Sequence, residues 1–508
     1  MRRVSKLVLF LVLTVCHGGH AGAQATYDDE ATPEGWAWAR IKEGKEADFN
    51  LRCGTSPALE ARAQDEARWA DACRLLPATF LIDLMTKAAW SDRVPRSGVM
   101  IVGARIEGSI DLRHTSLDRA LIVRHSRIEG AVSLDTARTE NAIEFSDSRL
   151  ADVFSATSLR SGSSIDLSGT DYKRRVDLRF ARFDGHVDFD MATLADALDA
   201  QSLQVGNDLL MRQKARFQKV TLSGARIAGN VDLDSATVAG DLAADSLHVG
   251  GHLLLRPDGP QKASLGKVDL SNARIAGNIE MVGAALAGEI DADGVQVGGH
   301  LLLQALTGCE RISLAFARIG GDLDVRGANL TELALPSAAV AGQLSLGGNG
   351  PPATWCAAKG KPGGLNLRHA RARSVMDAAE SWPAKGNLHL EEFRFDYLEV
   401  EMRGRSMKWW DEWARRDPVF TPAPYEQLGD ALLAAGNRRA ADETRYLGRV
   451  RQRELETDWP RWLWDGFLQY GAGFGIGGYA LRALYWTAGL LLLMALWLSV
   501  RRAVVEGR

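Results

Sequence analysis

The side chains best suited to chemistry in this sequence are carboxylates that recur in pairs, two residues apart. Paired carboxylates can share the acid and base roles of an enzyme that acts on polysaccharides. The pairs are Asp188 and Asp190, Asp232 and Asp234, and Asp322 and Asp324. Because they return at a regular interval, the competing interpretation is a ladder of solvated charges. All 14 Trp lie outside residues 91–354, so platforms for sugar rings are scarce there and the charge ladder is favoured.

An 11-residue repeat must position these carboxylates, and it aligns the segments GARIEG, GARIAG, NARIAG and FARIGG. Every eleventh residue from Ile110 to Leu253 is apolar. Apolar and polar residues alternate within each unit, as in NVDLD, which is typical of a β-strand, and a Gly in many units favours a turn. Val231 and Leu253 are therefore expected in the interior of the fold, and Asp232 and Asp234 are expected to point outward.

One such strand cannot bury its apolar face, so the repeat predicts a solenoid of stacked units. If two units form one turn, a coil takes about 22 residues and rises ~4.8 Å, and residues 97–402 form about 12 coils. An insertion at 256–260 shifts the frame by four residues, and a larger period of 44 residues relates ARFDGHVDF to ARIAGNVDL. The predicted fold is mainly β, a right-handed parallel β-helix. A β-propeller is the rival fold, but its strands are antiparallel, whereas one turn signature follows every strand here.

Four histidines of the repeat region are candidate metal ligands: His186, His248, His252 and His300. His252 and His300 are equivalent positions about two coils, or roughly 10 Å, apart. That distance is too long for both to bind one ion through bonds of ~2.1 Å. His248 with His252 stays open as a pair. The glycine-rich stretch 471–478 precedes an apolar run instead of completing a βαβ unit, so it does not predict a nucleotide site. We expect no metal and no cofactor.

Both ends of the chain predict export and anchoring in a membrane. Residues 1–23 combine basic residues, an apolar run and the sequence AGA, which is typical of a cleaved signal peptide. A lipid-modified Cys16 is the alternative, although the residue before it is larger than usual. The uncharged run 483–500 predicts one transmembrane helix, and the arginines of the tail 501–508 predict a cytoplasmic C-terminus. We expect a single-pass protein of a bacterial inner membrane, with most of the chain in the periplasm.

Four cysteines remain after signal cleavage, and an exported chain with an even number of cysteines favours disulfides. No C-x-x-C motif or Cys/His spacing suggests zinc binding or thiol redox chemistry. Three pairings of the four residues are open. We predict the pairing that is closest in sequence, Cys53 with Cys73 and Cys309 with Cys356, because each pair shares one region of the chain.

Helical segments are expected at both ends of the solenoid, where they would cover unpaired strand edges. Residues 24–96 contain the predicted N-terminal helical cap. Residues 403–458 are predicted to form a membrane-proximal module in which one helix ends at Gly436 and a second helix covers about 438–456. The aromatic and glycine-rich residues 459–482 are typical of a segment at the membrane surface.

The units of the form A-R-I-x-G-x-L-D-L resemble the pentapeptide-repeat and related right-handed β-helix proteins of bacteria. Together with FTPAPYEQLGDALLAAGNRRAADE and the terminal apolar run, they are more closely similar to a family of membrane-anchored repeat proteins, over about residues 85–500. Members of that family are sometimes labelled membrane-associated oxidoreductases. The resemblance implies a fold and a membrane setting, but the sequence contains no redox motif that supports an oxidoreductase.

Three classes of function fit these features. A scaffold without catalysis, which binds other envelope proteins, is the favoured hypothesis. A polysaccharide-modifying enzyme is the alternative, and end-to-end self-assembly is disfavoured by the helical cap. A net charge of -3 gives no indication of nucleic-acid binding. The scaffold hypothesis predicts an interaction ladder of Arg226, Arg274 and Arg318, unless these arginines merely pair with neighbouring Asp residues.

Overall fold

The chain forms a parallel β-solenoid of about 13 turns, with helices before and after it. The computed structural model describes residues 27–55, 60–62, 65–357, 360, 362–399 and 405–506. The predicted parallel β-helix architecture and its flanking helices are confirmed. The predicted signal peptide, residues 1–23, lies outside the described residues.

Each regular coil contains four short strands separated by corners. Strands of one coil begin at Arg226, Val231, Thr237 and Leu242, which places a corner after every five or six residues. Corner residues such as Ser246 have a left-handed backbone, with a φ of 56°. The alternation seen in the sequence therefore marks two-residue strands between corners and not one long strand.

Equivalent strands stack in four parallel ladders, which we number in chain order within a coil. The first ladder contains Leu75–Pro77, Arg105–Glu107, Arg127–Ile128, Arg149–Leu150, Asp171–Tyr172, Thr237–Val238, Ser264–Leu265, Ala285–Leu286 and Thr354–Trp355. The second contains Ile110–Asp111, Val132–Ser133, Phe154–Ser155, Val176–Asp177, Leu242–Ala243, Val268–Asp269, Ile290–Asp291, Glu310–Ser313, Gly364–Asn366 and Leu388–His389. Three longer strands join these two ladders into one sheet: Thr193–Asp199, Arg216–Thr221 and Asn329–Ala334.

The other two ladders form the second sheet. The third ladder contains Ser116–Leu117, Arg138–Thr139, Arg160–Ser161, Arg182–Phe183, Gln204–Val205, Arg226–Ile227, His248–Val249, Arg274–Ile275, Gln296–Val297 and Arg318–Ile319. The fourth contains Ala47–Asp48, Val99–Val102, Leu121–Arg124, Ile143–Glu144, Ile165–Asp166, Val187–Asp188, Leu209–Leu210, Val231–Asp232, Leu253–Leu254, Ile279–Glu280, Leu301–Leu302 and Leu323–Asp324. Strands Ala339–Ser345, Arg371–Met376 and Arg394–Leu398 join them.

The register of the third ladder confirms a coil of 22 residues, because Arg182 pairs with Gln204 and Gln204 pairs with Arg226. The next regular step, from His248 to Arg274, contains the four-residue insertion that the sequence predicts. The insertion leaves as a loop and does not disturb the ladder.

The interior is filled by the apolar columns of the repeat. Val231 is 0% exposed and Leu253 is 1% exposed, which confirms their predicted positions. Buried aromatic rings stack edge to face through five successive levels, with centroids 5.7 to 6.5 Å apart. These rings belong to Phe145, Phe154, Tyr172, Phe189 and Phe217.

The N-terminal cap combines helices with strands that extend both sheets, so it is less helical than the sequence predicts. Its helices are Pro33–Ile41, Phe49–Arg52, Glu66–Trp69, Ala72–Arg74, Ala78–Thr86 and Ala88–Ser91. Ala47–Asp48 pairs with Val99–Val102, and Leu75–Pro77 pairs with Arg105–Glu107, because the first coil offers unpaired edges. A disulfide between Cys53 and Cys73 ties the cap together, as predicted.

A second disulfide, between Cys309 and Cys356, fastens the irregular loop after Ser345 to the coil, and it too confirms the predicted pairing. The helices beyond the solenoid are Ala379–Ser381, Met407–Ala414, Ala423–Ala434, Arg438–Glu454, Trp459–Phe467, Leu468–Ala472, Gly473–Gly475, Gly477–Ala480 and Leu481–Glu506. The predicted helix pair is present, and Gly436, with a φ of 81°, separates its two helices.

The C-terminal helix is long and apolar enough to cross a membrane over Gly477–Arg502, and none of its apolar window is buried against the rest of the chain. The helix Trp459–Phe467, which precedes it, exposes large aromatic side chains, among them Trp459 at 71% and Trp464 at 61%. Apolar surface of this kind is typical of a segment that meets lipid.

Candidate functional site

The most prominent cavity of the described chain is a straight groove along the outer side of the third ladder, with a volume of about 1010 Å³. It extends over the coils from Arg182 to Val340. One wall is the column of outward side chains that includes Arg226, Arg274 and Arg318. The three arginines of the predicted interaction ladder therefore line one continuous surface feature.

The groove exists because the outward position two residues after each arginine carries almost no side chain. The residues at this position are Gly206, Ala228, Gly250, Ala276, Gly298, Gly320 and Ala341. A Cβ on Gly250 would lie 2.2 Å from the carbonyl oxygen of Ala228 in the preceding coil. The glycines thus have a structural reason, which is close stacking of the backbones, and a trough beside the arginine column is the result.

The three arginines lack carboxylate partners. No ion pair joins Arg226, Arg274 or Arg318 to an acidic residue among the residues that the structure describes, and all three are exposed. The guanidinium of Arg274 lies 3.0 Å from Nε2 of His248, one coil below. The interpretation that these arginines merely neutralise neighbouring aspartates is therefore wrong. The one carboxylate that lines the groove, Asp184, lies 3.1 Å from Arg182.

Arginines of the adjacent side of the coil behave differently, because carboxylates occupy their neighbouring coils. Arg212 lies 2.7 Å from Asp190, and Arg256 lies 2.8 Å from Asp234. Asp324 pairs with Arg326 at 2.5 Å. Three of the six candidate catalytic carboxylates thus belong to structural ion pairs, which supports the charge-ladder interpretation for them.

The remaining three carboxylates are not equivalent. Asp188 accepts the backbone N–H of Asp190, and burial raises its pKa to about 6, with the nearby charges of Asp190 and Asp166 acting in the same direction. Burial likewise raises the pKa of Asp232. Asp322 is exposed and accepts the backbone N–H of Gln343.

Asp232 corrects the expectation of a solvated outward carboxylate. Its side chain does point away from the buried Val231, but the residue is only 8% exposed. It accepts the backbone N–H of Asp234 and lies 3.8 Å from Arg212. Neighbouring coils are close enough to cover an outward side chain, which the alternation within one coil does not reveal.

Three of the four candidate histidines have a structural role at the corner between the third and fourth ladders. Nδ1 of His186, His252 and His300 accepts a backbone N–H from the next coil, at 3.0 to 3.4 Å. Asp208, Asn230 and Asn278 do the same through side-chain oxygens in the intervening coils. The open pairing of His248 with His252 is not realised as a site, since His248 contacts Arg274. Within the described ranges, no group of three or more His, Cys, Asp and Glu side chains is placed to hold a metal ion.

Two phenylalanines that sequence reasoning missed lie at the corner just before the arginine column. Phe180 and Phe316 precede Arg182 and Arg318 by two residues, and they are 56% and 67% exposed. Both have left-handed backbones, with φ of 59° and 58°. Most equivalent corners carry residues that tolerate this conformation better, namely Ser202, Gly224, Ser246, Asn272 and Gly294. The interruption of this Ser, Gly and Asn pattern was the available signal.

Comparison with protein-family models, with curated proteins and with solved structures gives no significant match to any of them. The resemblance to the membrane-anchored repeat family therefore rests on the repeat motifs alone. What the structure establishes is a parallel β-solenoid with two disulfides, one candidate membrane helix and a basic groove.

Proposed function

We propose that this chain is an exported, membrane-anchored scaffold that binds an extended anionic partner along the groove and catalyses no reaction. The observation that carries the proposal is the column of Arg226, Arg274 and Arg318, exposed and without carboxylate partners in the described structure. Regular stacking repeats these charges in one direction, so the matching partner is extended as well.

The proposed location follows from three features of the chain. Two disulfides indicate an oxidising compartment for the solenoid. The apolar helix over Gly477–Arg502 is suited to span a bacterial inner membrane, and exposed aromatic residues of Trp459–Phe467 suit its surface. Arg501 and Arg502 at the end of the helix favour a cytoplasmic C-terminus, which leaves the groove in the periplasm.

A binding role is favoured over catalysis because the groove is open and contains one carboxylate, Asp184, beside Arg182. An enclosed, water-poor site with convergent titratable groups would favour an enzyme. The raised pKa of Asp188 is the one observation that fits the alternative, a polysaccharide-modifying enzyme. Asp188 belongs to the fourth ladder, however, and does not line the groove.

The test is photocrosslinking in native membranes. A photoreactive amino acid replaces Ala276 in the groove, and the control places it at Gln218, an exposed residue of the other sheet. We expect adducts from position 276 that are absent at position 218 and that disappear in the triple variant Arg226→Gln, Arg274→Gln, Arg318→Gln. Equal labelling at both positions would contradict a binding role for the groove.

Protease added to spheroplasts tests the location. The solenoid should be digested, whereas protection equal to that of a cytoplasmic marker would contradict the proposed topology.

A further inference from the structure

We infer that the partner in the groove is a linear anionic polysaccharide that lies along the solenoid axis, with about one sugar ring per coil. This inference rests on the proposed function and names the chemical class of its ligand. It follows from the spacing of the charges, from the groups between them and from the two exposed phenylalanines.

The charges of the groove repeat at every second coil. Arg226, Arg274 and Arg318 are separated by Gln or His in the intervening coils, so successive guanidinium positions are about 9.6 Å apart at ~4.8 Å per coil. A linear polysaccharide advances by about one coil height per ring. A polymer with one carboxylate on every second ring therefore matches the three arginines over its whole length.

An acidic peptide fits this spacing poorly. In an extended strand, side chains on one face are separated by two residues, or about 6.7 Å. Carboxylates at that interval drift out of step with arginines about 9.6 Å apart. Charge alone would accept either polymer, and the repeat distance selects the polysaccharide.

The positions between the arginines suit hydroxyl groups. Gln204 and Gln296 are exposed in the groove wall, and a Gln amide both donates and accepts hydrogen bonds. The narrow outward column of Gly and Ala beside them leaves the groove floor free of side chains. A sugar ring can therefore approach the backbone between two charged contacts.

Phe180 and Phe316 lie six coils apart, which is about 29 Å, at the two ends of the arginine column. A left-handed backbone at a residue other than Gly costs roughly 1–2 kcal/mol, and exposing a Phe ring adds to that cost. Neither ring packs into the core. We assign them as stacking platforms for sugar rings at the ends of the bound segment.

The experiment measures binding by the full-length protein in nanodiscs of uncharged lipid. The probe is hyaluronan, which carries one carboxylate for every two rings, in oligosaccharides of increasing length. We expect affinity to rise with length up to about seven rings, the span from Arg182 to Arg318 at one ring per coil. Binding should weaken with salt, since exposed charges are screened.

Matched variants assign the binding to the groove. The triple change Arg226→Gln, Arg274→Gln, Arg318→Gln should weaken hyaluronan binding about tenfold or more, with a reduced salt dependence. A control with the same change of charge, Lys214→Gln, Arg216→Gln, Lys219→Gln, alters exposed residues outside the groove and should leave affinity within about twofold.

The phenylalanines give an independent test. The double variant Phe180→Ser, Phe316→Ser, which copies the residue at equivalent corners, should fold at least as stably as the parent chain and bind hyaluronan several-fold more weakly. Unchanged affinity would contradict the stacking role.

Three results would overturn the inference. One is equal affinity for polyglutamate, which would show a response to charge alone. Another is equal affinity for hyaluronan whose carboxylates have been reduced to alcohols. The third is a failure to bind hyaluronan together with groove-specific photocrosslinks from Ala276 to a membrane protein, which would retain the proposed scaffold and replace its ligand. Absence of both binding and crosslinks would remove both proposals.

Discussion

Replacing Asp188 by Asn should stabilise its coil at neutral pH. The folded chain raises the pKa of Asp188 from 3.8 to about 6, chiefly through burial. The ionised carboxylate therefore costs nothing in stability below about pH 4, and its cost grows to about 3 kcal/mol as the pH rises past 6. Asn avoids this cost and can still accept the backbone N–H of Asp190, which Asp188 accepts at 2.8 Å. The gain is an upper value because solvent screens a partly exposed group.

Asp324 is the matched control, because it occupies the equivalent position of the same ladder. Burial there is outweighed by the hydrogen bonds of Arg326, which hold the pKa of Asp324 below its usual value. Its contribution is present above the unfolded pKa and is lost as the pH falls through the folded pKa. Asp324→Asn should therefore destabilise its coil at about pH 7.5 and less so in acid.

Native-state hydrogen exchange of peptides that cover the two coils measures both effects locally, which suits a solenoid whose coils open separately. The opening free energy of the Asp188→Asn variant relative to the parent should increase between about pH 4 and 7.5, and that of Asp324→Asn should decrease. A loss of stability in Asp188→Asn at about pH 7.5, or no change with pH, would refute the reasoning.

Three further changes test the fold. Val231→Asp places an unpaired carboxylate in the core and should cost at least about 3 kcal/mol, seen as loss of exchange protection over neighbouring coils, whereas a silent change would contradict the assigned interior. Cys309→Ser with Cys356→Ser opens a 47-residue loop and should lower the free energy of unfolding by up to about 4 kcal/mol in denaturant titrations, and equal midpoints would contradict this role. His300→Leu removes an acceptor for a backbone N–H and should cost about 1 kcal/mol by hydrogen exchange, whereas His300→Asn should restore it as Asn278 does one coil below.

The sequence predicts the coil because the determinants are local and repeated. Apolar columns at every eleventh residue specify two corners per turn, and the frame shift at 256–260 becomes a loop. The groove depends instead on which residues are neighbours at a separation of 22. Read at that interval, Arg226 has Gln204 and His248 beside it, so its lack of a carboxylate partner was available from the sequence once the register was known.

Burial of outward side chains was not available in this way. Asp232 looks like a solvated residue in the alternating pattern, yet stacked coils cover it and Arg212 lies beside it. The left-handed corners were equally hidden, because a backbone conformation at Phe316 is visible in the sequence only as a departure from Ser, Gly and Asn at equivalent places. The N-terminal cap was predicted as helical because helical periodicity does not reveal that Ala47–Asp48 and Leu75–Pro77 extend the sheets.

The arginine column also restricts how such a chain can change its length. Removing 11 residues would exchange the two sheets, and removing 22 would keep every strand in place but would bring two arginine coils, or two neutral coils, together. Removal or duplication of 44 residues preserves both the stacking and the alternation, as the spacing of Arg182 and Arg226, or of Arg274 and Arg318, illustrates. Insertions that leave the coil as loops, such as the one between His248 and Arg274, are exempt. The groove is thus a ruler graduated in double coils, and lineages that lengthen it while keeping its charge spacing can do so only in those steps.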